Sequence, residues 1–102
     1  MLKIKEMCDY ARYSENLEKV INKLGGIEVL RHEYEASYQG DVDIDVLLED
    51  GRVFSYHYYY GSCSGCDEWE HRNLDDEEIE EVMLQECTLF NSLEEYKKWQ
   101  LN

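Results

Sequence analysis

Residues 41–60 read DVDIDVLLEDGRVFSYHYYY, and the register of this stretch decides the fold. From Asp41 to Leu48, acidic and aliphatic residues alternate almost without a break. A period of two marks a strand with one buried face. Residues 53–60, VFSYHYYY, are β-branched and aromatic and suit a second strand. Between them lies Glu49-Asp50-Gly51-Arg52. Asp-Gly suits the two positive φ angles of a type I′ turn, so the sequence predicts a two-residue loop with Glu49 opposite Arg52.

Opposite residues share a sheet face. In this register Val42, Ile44, Val46 and Leu48 line the core with Tyr59, His57, Ser55 and Val53. Asp41, Asp43 and Asp45 take the other face with Tyr60, Tyr58 and Tyr56, beside Leu47, Phe54, Glu49 and Arg52. Same-face residues on a strand lie roughly 6.5–7 Å apart. A row of carboxylates at that spacing can stand in for a row of phosphates, and tyrosine adds rigid contact area. The same pattern is also what a solvated sheet face, or tyrosines packed beneath a helix, would show. A three-residue loop would shift the register by one and exchange the partners of the aspartates.

Upstream, residues 27–38 alternate and predict a strand, turned by Gln39-Gly40. Residues 14–24, SENLEKVINKL, predict a helix with Leu17, Val20, Ile21 and Leu24 as its stripe. Tyr13 is placed to staple its start, and Gly25-Gly26 ends it. Residues 2–11 fit no single period. Downstream, a helical segment is expected from Cys66 or Asp67 to Asn73. Asp75-Asp-Glu-Glu78 is a capping-box pattern opening a further helix to residue 86, with Ile79, Val82 and Met83 inward. Residues 87–90, CTLF, read as a short strand or a connector. Ser92-Leu-Glu-Glu95 opens a last helix with Tyr96 and Trp99 as apolar contacts. The order predicts one α+β domain: a three- or four-stranded antiparallel sheet with helices packed on one face.

Composition limits the function. The chain has 102 residues, 43% hydrophobic and 33% charged, with no proline, which suits one folded domain. Formal net charge is −14. Residues 1–32 carry +1 and residues 33–102 carry −15. Such a surface repels nucleic acid and anionic lipid and attracts basic partners, so direct nucleic-acid binding is not expected. Residues 67–86 hold ten acids against one arginine. Asp76 with Glu80 and Glu77 with Glu81 are i,i+4 like-charge pairs, each costing a few tenths of a kcal/mol. A surface selected for stability alone would set lysines there, although acidity also serves solubility. The N-terminus lacks the apolar run of a signal peptide and no segment is long enough to span a membrane, so a cytoplasmic protein with reduced thiols is expected.

The four cysteines support three readings of Cys63-Ser-Gly-Cys66. As a turn, Gly61 and Gly65 supply backbone freedom, Ser62, Ser64 or Asp67 cap the next helix, and the thiols are small buried groups. As half of a zinc site, the pair needs further ligands, with Cys87 and His71 the candidates and Cys8 and His57 more distant ones. As a redox pair, it sits beside Asp67, Glu68 and Glu70, which oppose thiolate formation. The turn is the leading reading, with no cofactor expected and Trp69 as a core anchor. No P-loop, HExxH, nucleophile elbow or dinucleotide fingerprint is present. Asp41, Asp43 and Asp45 start like a calcium loop, but Val46 stands where that loop needs glycine. No catalytic pair is singled out, and no enzyme activity is expected.

The string YYYGSCSGCDEWE, with LEDGRVF before it and LEEYKKW after it, resembles small acidic proteins of bacteriophages and prophages over residues 40–100. The resemblance implies a phage accessory protein acting in a bacterial host's cytoplasm. Proteins of that kind often inhibit host nucleases by DNA mimicry. The expectation is therefore a non-catalytic inhibitor of the anti-CRISPR or anti-restriction kind. Its acidic surface would occupy the basic nucleic-acid-binding site of a host defence protein. The contact residues expected are Asp41, Asp43, Asp45, Tyr56, Tyr58, Tyr60, Asp76, Glu77, Glu80 and Glu81. The alternatives are a metal or thiol module centred on the CSGC turn, or a domain binding a small cationic or nucleotide-like ligand through its tyrosines. A tyrosine-rich face would equally serve a homodimer.

Overall fold

The structure is a computed structural model that describes residues 2–8, 13–34, 40–60 and 75–101. It holds α1 (Ile4–Met7), α2 (Ser14–Lys23), β1 (Gly26–Tyr34), β2 (Gly40–Leu48), β3 (Val53–Tyr60), α3 (Asp76–Glu86), β4 (Thr88–Phe90) and α4 (Leu93–Gln100). The strands form one antiparallel sheet in the order β1-β2-β3-β4. The fold is α+β, and residues 88–90 are its fourth strand. The CSGC segment, Trp69, His71 and the helix expected at 66–73 lie outside the described residues.

The hairpin register differs from the sequence expectation by one residue. Asp43 pairs with His57, Ile44 with Tyr56, Asp45 with Ser55 and Val46 with Phe54. The loop has three residues. Gly51 donates to the Leu48 carbonyl at 3.0 Å, and Leu48 donates to the Arg52 carbonyl at 2.9 Å. Gly51 then sits at φ +92°, the left-handed residue that closes a type I turn in a three-residue hairpin. The reason lies in burial. The observed register puts Phe54, Tyr56 and Tyr58 under the helices, where the two-residue loop would have buried Ser55 and His57. Gly51→Ala is expected to cost about 1–2 kcal/mol, since no atom lies near its added methyl and the cost is backbone strain alone. Denaturant unfolding measures it, and Gly51→Asn is expected to cost less.

One core joins the helices to the sheet. Leu17, Val20 and Ile21 of α2 and Ile79 and Met83 of α3 pack on Val42, Ile44, Val46, Leu48, Phe54, Tyr56 and Tyr58. Each such side chain contributes about 1.5–3 kcal/mol of burial. The segment at residues 2–8 completes this layer: Ile4 is fully buried, and the Asn22 side chain clips Leu2 by accepting from its amide and donating to its carbonyl, both at 3.1 Å. Gly25, at φ +86°, ends α2 and donates to the Asn22 carbonyl at 3.2 Å. Both expected helix starts are capped by a side chain at the N-cap. Asp75 accepts from the Glu78 amide at 2.9 Å, and Ser92 from the Glu95 amide at 3.2 Å. The face that α1, α2 and α3 leave open is partly roofed by α4, whose Tyr96 and Trp99 stack near Phe90 of β4. No helix among the described residues is long and apolar enough to cross a membrane.

Candidate functional site

The open face of the sheet is built by the odd residues of β2. Arg31 of β1 pairs with Asp45, and Glu33 with Asp43. On β3 the same rows hold Ser55 and His57. Thr88 of β4 joins the Ser55 row. Arg31, Asp43, Ser55, His57, Thr88 and Trp99 line an open groove of about 360 Å³, and Trp99 is 50% exposed.

The aspartate row exists, but its members differ in kind. Asp45 is fully buried. Its Oδ2 accepts from Arg31 Nε at 2.9 Å and from Tyr96 Oη at 2.6 Å, and its Oδ1 accepts from Ser55 Oγ at 2.6 Å. Arg31 also donates to Asp43 at 2.6 Å. Burial works against the Arg31 charge, but the hydrogen bonds and attraction from Asp45 and Asp43 together outweigh it and push its pKa higher still. Asp41 is exposed and lies 2.8 Å from His57 Nε2. Of the three, Asp45 is a structural anchor, Asp43 is half-neutralised by Arg31, and Asp41 faces solvent.

The tyrosine partners expected for this row are corrected by the register. Tyr56 and Tyr58 belong to the core, on the opposite face from the aspartates, and cannot supply surface contacts. Tyr60 closes β3 opposite Gly40. His57, expected in the core, is on the open face instead.

Tyr96 gains a property from this network. Burial, with the hydrogen bond to Asp45 and its negative charge, pushes the phenol up to about 12. An unfolded tyrosine ionises near about 10. The folded value is the higher, so this contribution to stability is complete below about 10 and is lost as pH rises through about 12. Tyr96→Phe is expected to flatten the alkaline fall in stability across that window, as read by denaturant unfolding of both proteins through it.

The acids from Asp76 to Glu81 of α3 lie on the other side of the molecule, since Ile79 and Met83 of the same helix pack into the core beneath the sheet, while Glu86 at its end lines the groove with Asp43. Those from Asp76 to Glu81 do not form one surface with Asp41 and Asp43. Glu80 is buried against α2, accepting from Asn16 Nδ2 at 3.2 Å and Lys23 Nζ at 3.4 Å. It joins two helices instead of meeting solvent. Asp76 takes a 3.4 Å hydrogen bond from Asn16. Glu77, Glu78 and Glu81 are exposed and have no ion-pair partner among the described residues. The first turn of α3 holds Asp76, Glu77 and Glu78, which suits the positive end of the helix. The last turn holds no basic residue, where one would be stabilising.

Of the candidate metal ligands, Cys63, Cys66 and His71 lie outside the described residues. Cys87 is half-buried at the end of α3, its thiol donates to the Leu84 carbonyl at 3.2 Å, and burial pushes that thiol's pKa up. Cys8 lies fully buried after α1, with its Sγ 3.2 Å from Nε2 of His32 in β1. Burial lowers the His32 pKa, which favours the neutral ring. Among the described residues no three metal-ligating side chains converge. No local pattern in the sequence signals the Arg31–Asp45–Tyr96 and Cys8–His32 groupings, because each joins residues far apart in the chain. No family model matches the chain, and neither does any curated protein or solved structure.

Proposed function

We propose that the protein is a non-catalytic binder of a basic partner, and that the outward face of α3 is the surface it presents. The supporting observation is the charge pattern of that helix. Glu77, Glu78 and Glu81 are exposed without ion pairs among the described residues, and no basic side chain closes the last turn. Acid at the N-terminal turn has a stability role through the helix dipole. Glu81, beyond the first turn and i,i+4 from Glu77, has none of that benefit and adds repulsion. Acidic surface kept at a cost in stability suits electrostatic steering toward a basic site.

The partner that fits is the basic nucleic-acid-binding cleft of an enzyme. With the resemblance to phage proteins, the reading becomes an inhibitor of a host defence nuclease, of the anti-CRISPR or anti-restriction kind, acting in the bacterial cytoplasm. Asp76, Glu77, Glu78 and Glu81 take the place of phosphates, and Asp41 lies on the opposite side, outside this contact. Glu80 holds α3 in position and makes no contact itself.

The test is capture of bacterial lysate proteins on the immobilised chain at low and high salt, beside Glu77→Lys/Glu81→Lys. Both substituted positions are exposed, so the variant is expected to fold. A nucleic-acid enzyme held by the wild type, released by salt and lost with the variant is the expected result. The captured enzyme should also lose its grip on DNA when the protein is added. Equal capture by the charge-reversed variant would remove α3 as the contact.

A further inference from the structure

We propose that the open face of the sheet is a second binding site, which takes arginine side chains of an extended basic peptide. It is separate from the α3 surface and does not depend on that reading. Two adjoining hollows mark it. One, of about 590 Å³, is lined by His32, Glu33, Tyr34, Asp41, Asp43 and His57. The other is the groove of about 360 Å³ that holds Trp99. Asp43 and His57 line both, so the two make one track over β1, β2 and β3 to α4.

The charge of this track selects a cation. Glu33, Asp41, Asp43 and Glu86 line it against one guanidinium, that of Arg31. That guanidinium is already held: Nε meets Asp45 at 2.9 Å, Nη2 meets Asp43 at 2.6 Å, and Nη1 lies 3.4 Å from Glu33. Since Arg31 also serves the buried Asp45, the lining carboxylates stay in excess. Glu33 and Asp41 are largely exposed, so an incoming cation meets them without stripping water from a buried group. Like charges gathered in a concave surface reinforce one another's field. Nucleic acid is repelled, and so is a second copy of this chain at −14.

Trp99 adds what charge alone does not supply. Its ring is half-exposed yet fixed, with the Phe90 ring centroid at 5.2 Å and that of Tyr96 at 6.3 Å. These neighbours hold the indole at the wall of a groove that also carries Arg31, Asp43, Ser55, Glu86 and Thr88. An indole face attracts a cation, and a guanidinium both stacks on it and pairs flat with a carboxylate. A lysine ammonium meets ring and acid only as a point charge, so arginine is the better occupant. An extended peptide sets alternate side chains on one side, roughly 6.5–7 Å apart. Arginines two positions apart can therefore meet the track at two points.

The probe is an acetylated Gly-Arg-Gly-Arg-Gly amide, beside the same peptide with citrulline for arginine, which keeps the shape and loses the charge. Each is titrated at low salt into the isotope-labelled full chain and followed by amide NMR. Saturable shifts of the Trp99 indole N–H and of the Asp43, Ser55, His57 and Thr88 amides are expected with arginine, and binding several-fold weaker with citrulline. Trp99→Leu, at a half-exposed position, is expected to weaken binding about two- to fivefold, the scale of an exposed cation–π contact. Glu33→Gln/Asp41→Asn, at two exposed positions, is expected to weaken it as well with the amide spectrum otherwise unchanged. Glu77→Lys/Glu81→Lys on α3 should leave the shifts at this face as in the wild type, which separates the two sites. No saturable shift at millimolar peptide, equal binding of the citrulline peptide, or shifts confined to α3 would overturn the proposal. Wild-type affinity in both folded groove variants would overturn it equally. So would shifts of these amides that follow protein concentration without peptide, which would assign the face to a second copy.

Discussion

Arg31→Met is expected to cost about 3–5 kcal/mol of folding stability, the range for removing one partner of a buried ion pair. The carboxylate of Asp45 has no exposed surface, and Arg31 is its cationic partner. Without the guanidinium, Ser55 and Tyr96 remain as donors, but neither carries charge. The fall should persist in high salt, because screening acts on exposed charges far more than on this one. Arg31→Met combined with Asp45→Leu is expected to recover part of the loss, since apolar replacement of a whole buried pair is often tolerated. Equilibrium denaturation of the two single variants and the double variant measures the coupling. A loss below about 1 kcal/mol for Arg31→Met, the scale of a surface pair, would contradict this account.

Tyr58→Ala is expected to cost about 3–5 kcal/mol, as for other large aromatic truncations in a core. His57→Ala, one residue earlier, is expected to stay within about 0.5 kcal/mol. Its pair with Asp41 is exposed on both sides and contributes little. The contrast between neighbours reads the hairpin register directly. In the register of a two-residue loop, His57 would be the costly position and Tyr58 the tolerant one.

The parts of the fold legible from sequence were those fixed by neighbouring residues. Asp75 with Glu78, and Ser92 with Glu95, are three apart and declare helix starts without reference to anything else. The alternation of residues 41–48 and the stripe of Leu17, Val20 and Ile21 are similarly local. The register was not legible from the turn. Glu49-Asp50-Gly51 suits either loop length, and the choice rests on what the helices bury. The even positions of β3 carried the signal: Phe54, Tyr56 and Tyr58 make a more apolar set than Ser55, His57 and Tyr59.

The site was less legible because its chemistry is non-local. Asp45 looks like Asp41 and Asp43 in the sequence, and only Arg31 and Tyr96 distinguish it. Tyr96 lies 51 residues away, on a helix whose own pattern gives no hint of a carboxylate partner. In the sequence Glu80 is indistinguishable from Glu81 as surface charge, and Asn16, 64 positions distant, turns it inward. The acidic character of α3 survives that correction, while the continuous acid-and-tyrosine face does not.

The two-turn helix α4 has a consequence for how the native state breathes. It meets the sheet through three-residue β4, an aromatic cluster around Phe90, and the single phenol bound to Asp45. A unit with so few anchors should open on its own, below the free energy of global unfolding. Each opening would hydrate the Asp45 carboxylate and loosen its hold on Arg31. Amides of residues 93–100 should then exchange with solvent deuterium well ahead of those in β2 and β3. Acceleration of that exchange in Tyr96→Phe would mark the phenol as the latch.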